Sequence, residues 1–145
     1  MRLFLITIIA LTAVVGCGKK NPLPPKPIPG SAHVQGTVHT DEVVTAWRSA
    51  GLETDGFTRM DPPTSSAAFC EHGLVRGVDT TVCEYANEDT ISRGMQEVKA
   101  DWQRMDTHTG VVLRTKRTTM VVVDRERREP SGKTIRQMTK VFSKL

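Results

Sequence analysis

The stretch Ala67–Ala86, which reads AAFCEHGLVRGVDTTVCEYA, predicts a β-hairpin and also gives its register. Two runs with strand-forming residues flank Arg76-Gly77, and a two-residue loop containing glycine is typical of tight hairpins. With that loop, Val75 faces Val78, and the residue numbers of every facing pair add up to 153. The pairing of all other residues in the two strands follows from this sum.

The same register predicts a disulfide. Cys70 faces Cys83 at a non-hydrogen-bonded pair, where Cα atoms approach to about 4.5 Å, and a disulfide accepts this separation. A bridge is the default state of paired cysteines in an exported chain, and closing a loop of about 14 residues contributes roughly 3 kcal/mol on the chain-entropy model. The alternative is a metal site formed by Cys70, His72 and Cys83, but no fourth ligand is evident.

The chain after this hairpin alternates between helical and strand-like patterns. Asn87 is a suitable helix N-cap, and apolar residues at helical spacing follow it: Ile91, Met95, Val98, Trp102 and Met105. Gly110–Arg125 predicts a second hairpin that turns near Lys116-Arg117, with Met120–Val123 as a central strand buried on both faces. Ser131 is the predicted N-cap of a last helix with the apolar residues Ile135, Met138, Phe142 and Leu145.

The chain before the hairpin adds one helix and one strand. Thr40 is the predicted N-cap of this helix, Gly51 ends it, and its apolar residues are Val43, Trp47 and Ala50. A short strand is expected at Gly56–Met60. The order helix, strand, hairpin, helix, hairpin, helix predicts an α+β fold, a small two-layer sandwich in which antiparallel hairpins pack against helices on one face.

The first seventeen residues have the pattern of a secretory signal. Arg2 precedes the apolar run Leu3–Val15, whose 13 residues are fewer than the roughly 20 needed to span a bilayer. Val14-Val15-Gly16-Cys17 resembles a bacterial lipobox. The resemblance implies that residues 1–16 are removed and that Cys17 becomes the lipidated first residue. A plain signal peptide and a short buried helix are the alternatives.

A proline-rich tether is expected after the lipidated cysteine. Five of the eight prolines fall between residues 22 and 29, and such a segment forms a semi-rigid polyproline II spacer. The predicted organisation is a signal peptide at 1–16, Cys17 with a tether at 17–36, and a globular domain at 37–145. By resemblance to enterobacterial sorting, Gly18 after the cysteine favours the outer membrane, facing the periplasm or the cell surface.

Composition and charge narrow the function classes. The 145 residues are 38% apolar and 25% charged, which excludes a fibrous or wholly disordered chain. Residues 31–109 carry 6 basic and 13 acidic side chains, whereas residues 110–145 carry 10 basic and 3 acidic ones. The predicted interaction patch consists of Arg114, Lys116, Arg117, Arg125, Arg127 and Arg128. It suits an acidic envelope protein or an anionic lipid, unless these charges pair with the acidic half. No nucleic acid is expected, because aromatic residues for base stacking are absent near the patch.

No motif for catalysis, a cofactor or a metal stands out. Ser131–Thr134 resembles the end of a phosphate-binding loop, but Arg127 occupies the position of the required glycine. The four histidines are scattered and read as exposed polar residues. Carboxylate pairs for acid–base chemistry remain open on spacing alone, Glu71 with Glu84 and Asp124 with Glu126.

Several segments resemble uncharacterised envelope lipoproteins of myxobacteria and related bacteria. They are Trp47 with Ala50–Leu52 and Gly56-Phe57, Cys83–Ala86, Thr109–Val111, Val121–Arg125 and Pro130–Lys133. The resemblance implies location and fold and carries no catalytic residues across. We therefore expect a non-catalytic binding module anchored to the envelope. A small hydrolase or lipid-handling enzyme and a purely structural spacer are the alternatives.

Overall fold

The computed structural model describes residues 33–103 and 109–145. Its elements are helix α1 (Thr40–Ser49), strands β1 (Thr54–Met60), β2 (Phe69–Val75) and β3 (Val78–Glu84), helix α2 (Glu88–Gln103), strands β4 (Thr109–Thr115) and β5 (Thr118–Asp124), and helix α3 (Lys133–Phe142). The strands form one antiparallel sheet in the order β1-β2-β3-β5-β4. The predicted α+β class and element order are confirmed. Within the described ranges, no helix is long and apolar enough to cross a membrane.

The β2–β3 hairpin has the predicted register. Val75 pairs with Val78 and Cys70 with Cys83, and both residues of the loop have positive φ, at 49° and 78°, as a type I′ turn requires. The two cysteines form the predicted disulfide, with their Cα atoms 4.2 Å apart. This short separation agrees with a non-hydrogen-bonded pair.

Strand β1 lies at one edge of the sheet and is interrupted by a β-bulge. Its register with β2 shifts between Asp55 and Thr58, and Gly56 inside the bulge adopts a φ of 64°. The ring of Phe57 lies directly against Gly73 of β2. A Cβ atom added at Gly73 would be only 2.5 Å from Cδ2 of the ring. Only glycine at this position leaves room for the ring.

Helices α1 and α3 cover one face of the sheet and enclose the larger hydrophobic core. Its buried side chains are Val38, Val43, Val44, Trp47, Leu52, Val75, Val78, Val82, Met120, Val122, Ile135, Met138 and Phe142. The indole Nε1 of Trp47 donates a hydrogen bond to the carbonyl oxygen of Met138, at 3.3 Å. This bond joins the first helix to the last one inside the core.

Helix α2 packs on the opposite face. A second buried cluster there contains Ala67, Cys70, Cys83, Tyr85 and Ile91. Successive side chains of a strand point to opposite faces, so Cys83 faces α2 while Val82 faces the larger core. Helices therefore lie on both faces, whereas the sequence pattern placed them on one. The reason is that β5 carries apolar side chains on both faces, as Val122 and Val123 show, and both faces need cover.

Two of the four predicted helix ends agree with the structure, and the start of α1 is one of the two that differ. Asn87 caps α2, since its side-chain oxygen accepts a hydrogen bond from the backbone N–H of Thr90 at 2.9 Å. Gly51 ends α1 with a φ of 77°. The predicted cap Thr40 is already helical, and the N-cap position is His39, which makes no side-chain capping bond.

The start of α3 is held by a carboxylate, not by the predicted serine cap alone. Gly132 occupies the N-cap position with a φ of 62°, and Oε2 of Glu129 accepts a hydrogen bond from the backbone N–H of Thr134 at 2.8 Å. The hydroxyl of Ser131 donates to the same carboxylate and accepts the N–H of Lys133 at 3.3 Å. Because Gly132 occupies the N-cap position, Ser131 lies one residue before it.

Candidate binding cleft

A cleft of about 480 Å³ lies between α2 and the sheet face that α2 covers. Its apolar lining consists of Met60, Pro63, Val98, Trp102, Val121 and Val123. Its polar lining consists of His72, Asp79, Thr81, Asp101 and Arg125. Sites for small molecules commonly enclose roughly 300–1,000 Å³ and are mostly apolar with a few polar groups, so size and lining fit such a site.

Two aromatic side chains resting on glycines explain where α2 meets the sheet. A Cβ atom at Gly94 would lie 2.5 Å from Cε1 of the Tyr85 ring, and one at Gly110 would lie 2.8 Å from Cη2 of Trp102. Both rings therefore lie directly on a backbone that has no side chain. Tyr85 packs with Ile91 in the buried cluster under α2, and Trp102 forms a wall of the cleft.

The polar part of the cleft centres on a histidine and an aspartate. Nε2 of His72 lies 3.4 Å from Oδ1 of Asp79, and about two fifths of each side chain is exposed, 42% and 40%. Thr81 pairs directly with His72 across β2 and β3, so both side chains lie on one face within reach of each other. No sequence motif points to Asp79 or Thr81, although the register sum of 153 already places Thr81 opposite His72.

Arg125 supplies the one cleft charge without an ionic partner among the described residues. It also lines a second, smaller cavity of about 240 Å³ together with Asp79. Asp79 is engaged by His72, and Asp101 also has an interaction partner. The cleft therefore combines an apolar floor with an available guanidinium at its β5 end.

The described residues offer no metal site. No group of three or more histidine, cysteine or acidic side chains among them could hold an ion. Cys70 and Cys83, which were the thiol ligands of the alternative metal site, are joined in the disulfide. The segment that resembled a phosphate-binding loop places the carboxylate of Glu129 at the start of α3, where a phosphate would have to bind.

Glu84 is a fully buried carboxylate outside the cleft. Its Oε1 lies 2.6 Å from Nδ1 of His33, and its Oε2 accepts hydrogen bonds from the N–H of Val34 at 2.6 Å and the hydroxyl of Thr37 at 2.8 Å. The imidazole of His33 also stacks on that of His39, with ring centroids 4.4 Å apart. Glu84 thus attaches the segment before α1 to the sheet.

The second carboxylate pair also has structural partners. The two oxygens of Asp124 accept the backbone N–H groups of Arg128 and Glu129, at 2.9 and 3.0 Å. Glu126 forms a salt bridge with Arg128, whose Nε lies 2.6 Å from Oε2. Asp124 therefore closes the turn that leads to α3.

The structure does not bring the six predicted basic residues together. Arg114, Lys116 and Arg117 lie at the β4–β5 turn, and Arg125, Arg127 and Arg128 lie beyond the opposite end of β5. The seven residues of β5 separate the two groups, a length of roughly 20 Å. The predicted basic patch is therefore divided into two separate groups of three residues on the folded surface.

Several of these basic side chains also have partners within the domain. Nη2 of Arg114 lies 2.8 Å from Oε2 of Glu88. Arg117 donates to the carbonyl oxygens of Ala86 and Gln35, the latter at 2.6 Å. These contacts attach the hairpin turn to the segment before α1 and to the start of α2.

Other predictions lie outside the described residues, namely the signal peptide, Cys17, the tether up to residue 32, Met105 and His108. No protein-family model, curated protein or solved structure matches the chain.

Proposed function

We propose that this protein is a lipid-anchored envelope protein whose domain binds an apolar ligand with an anionic head group in the cleft under α2. The carrying observation is the cleft itself, in which Arg125 stands beside Val121, Val123 and Trp102 without an ionic partner among the described residues. An acyl chain would lie on the apolar floor, and its carboxylate or phosphate would bind the guanidinium.

The proposed anchor rests on the sequence. Arg2, the apolar run Leu3–Val15 and the lipobox-like residues ending at Cys17 support export and lipidation. Two or more acyl chains hold a protein stably at a membrane. We place the protein at the outer membrane, and its proposed partners are the membrane, through the N-terminal lipid, and an anionic lipid in the cleft.

Calorimetric titration with single-chain probes tests the ligand. Dodecanoate and dodecyl phosphate carry the proposed anionic group, while dodecanol and dodecyltrimethylammonium share the chain without it. We expect the two anions to bind and Arg125→Glu to weaken their binding at least tenfold, because the variant places a like charge beside the head group. Arg93→Glu makes the same charge change on an exposed position of α2 that does not line the cleft, and it should bind as the wild type does.

Three results would contradict the proposal. They are equal affinity for all four probes, tighter binding of the cationic probe, and undiminished anion binding by Arg125→Glu. Preference for one of the two anions would identify the head group as a carboxylate or a phosphate.

The anchor has its own test. Intact-mass measurement of the protein from its native membranes should give a chain that starts at Cys17 and carries the added mass of acyl groups. A Cys17→Ser variant should lose this mass and leave the membrane fraction. A wild-type chain that retains Met1 in the soluble fraction would contradict the proposal.

A hydrolase is the second candidate, because His72, Asp79 and Thr81 line the same cleft. The imidazole could act as a general base oriented by Asp79, with the hydroxyl of Thr81 or a water as the nucleophile. Hydrolysis of a short-chain nitrophenyl ester that is lost in both His72→Ala and Asp79→Asn would support this function. Activity that survives in His72→Ala would dismiss it.

A further inference from the structure

The two edges of the sheet differ in how they are protected against pairing with another strand. An edge strand exposes unpaired backbone N–H and C=O groups, and proteins commonly blunt it with bulges or charges. β1 has a bulge at Gly56 and carries Asp55 and Arg59. β4 pairs with β5 in unbroken register from Thr109 to Thr115, and Arg114 is its one charged residue.

The outward-facing groups of β4 can be identified from its hairpin. Thr115 pairs with Thr118 across a two-residue loop, and the pair that closes such a loop is hydrogen-bonded. Alternation along the strand then turns the N–H and C=O groups of Gly110, Val112 and Arg114 away from β5. No hydrogen bond from another part of the described backbone reaches these groups.

We propose that the β4 edge pairs with β4 of a second copy of this chain, antiparallel and centred on Val112, to form a continuous ten-stranded sheet. In this register Val112 faces Val112 of the second copy, and Gly110 faces Arg114. Gly110, Val112 and Arg114 are the residues whose N–H and C=O groups face outward. They form three facing pairs about the two-fold axis, and each pair exchanges two backbone hydrogen bonds, which makes six.

The side chains of β4 favour this partner. The centred register places the cationic Arg114 opposite a glycine and thus avoids a like charge across the pair. Val111 would face Leu113 of the second copy, and both are half-buried apolar residues on the monomer. Within its own chain, Arg114 is held by Glu88, so its side chain lies over the sheet face and leaves the backbone edge accessible.

Cysteine cross-linking of the full-length protein in its own membranes tests the register. Facing residues of a hydrogen-bonded pair have Cα atoms about 5.5 Å apart, which a disulfide can bridge. Val112→Cys should therefore give a covalent dimer under mild oxidation. Val111→Cys is the matched control, because its two copies would sit diagonally, about 7–8 Å apart, and should give at least tenfold less dimer.

A second measurement needs no cysteine. Val112→Lys places two like charges opposite each other at the axis, and sedimentation of the purified protein in detergent should show at least tenfold weaker dimerisation. Ser92→Lys, on an exposed position of α2, should dimerise as the wild type does. Circular dichroism identifies any variant that does not fold.

Hydrogen exchange of the wild-type protein gives a third measurement. The amides of Gly110, Val112 and Arg114 should exchange more slowly as the protein concentration rises, because they become hydrogen-bonded in the dimer. The proposal is overturned by a wild-type protein that stays monomeric at every concentration, by equal cross-linking at 111 and 112, or by a complex with a different protein at this edge.

Discussion

At the scale of single residues, Glu84 links the segment before α1 to the sheet. It has no exposed surface, and polar groups of three residues in the segment before α1 surround its carboxylate: His33, Val34 and Thr37. A carboxyl group is tolerated in the interior only when partners such as these satisfy its oxygens. Val34 N–H and His33 Nδ1 depend on this carboxylate, whereas the Thr37 hydroxyl also bonds the carbonyl oxygen of Val34.

Glu84→Ala should lower the free energy of unfolding by about 3 kcal/mol, because it leaves the N–H of Val34 and Nδ1 of His33 without their hydrogen-bond partner. Urea denaturation followed by circular dichroism measures the change. Glu71→Ala is the control on the neighbouring strand, where the side chain is partly exposed, and we expect a change within about 0.5 kcal/mol. Equal effects of the two substitutions would contradict the role given to Glu84.

The capping carboxylate Glu129 predicts a pH dependence. The hydrogen bond from the Ser131 hydroxyl, with those from the N–H groups of Thr134 and Lys133, lowers the pKa of Glu129 below its ordinary value of 4.5. Its folded-state pKa is thus below its unfolded one. The stabilisation is complete above the ordinary value and is lost as the pH falls through the lowered value.

Glu129→Gln should therefore be less stable than the wild type at neutral pH, and the difference should shrink as the pH falls below about 4.5. Urea unfolding of both proteins at neutral and acidic pH measures it. A difference that is independent of pH would mean that the charge of Glu129 does not stabilise α3.

At the scale of the elements, the contact between α2 and the sheet depends on a helical glycine. In an exposed helix, Gly→Ala usually stabilises by about 1 kcal/mol. At Gly94 the added methyl group would meet the ring of Tyr85 at 2.5 Å, and Tyr85 is fully buried. Gly94→Ala should therefore destabilise the domain, by about 1–3 kcal/mol.

Thermal unfolding measures this change, and Ser92→Ala on the exposed side of the same helix serves as the control. The control should be neutral or slightly stabilising, because alanine has the higher helix propensity. A stabilising Gly94→Ala would show that α2 is free to move away from Tyr85.

At the scale of the whole molecule, the disulfide stabilises a small domain whose buried side chains are divided between two clusters. Cys70 and Cys83 are 13 residues apart, and on the chain-entropy model such a bridge contributes about 3 kcal/mol. The double substitution Cys70→Ala, Cys83→Ala should lower the free energy of unfolding by about that amount. Thiol titration of the denatured wild-type protein provides the check, and two reactive thiols would contradict the bridge.

Much of the fold could be predicted, because its elements carry local signals. The glycine loop after Val75 fixed the pairing of Cys70 with Cys83, and the helical spacing of Ile91 and Val98 located α2. The candidate cleft was only partly predictable. The register placed Thr81 opposite His72, but their proximity to Trp102 and Arg125 depends on how α2 crosses the sheet.

By itself, the sequence determined the element order, the hairpin register and the disulfide, because turn chemistry and apolar periodicity act between neighbouring residues. Only the tertiary structure decided which face each helix covers, how the basic residues divide between the two ends of β5, and which donors surround Glu84. These features arise from packing between residues far apart along the chain, such as His33 and Glu84, and no local pattern encodes such distances.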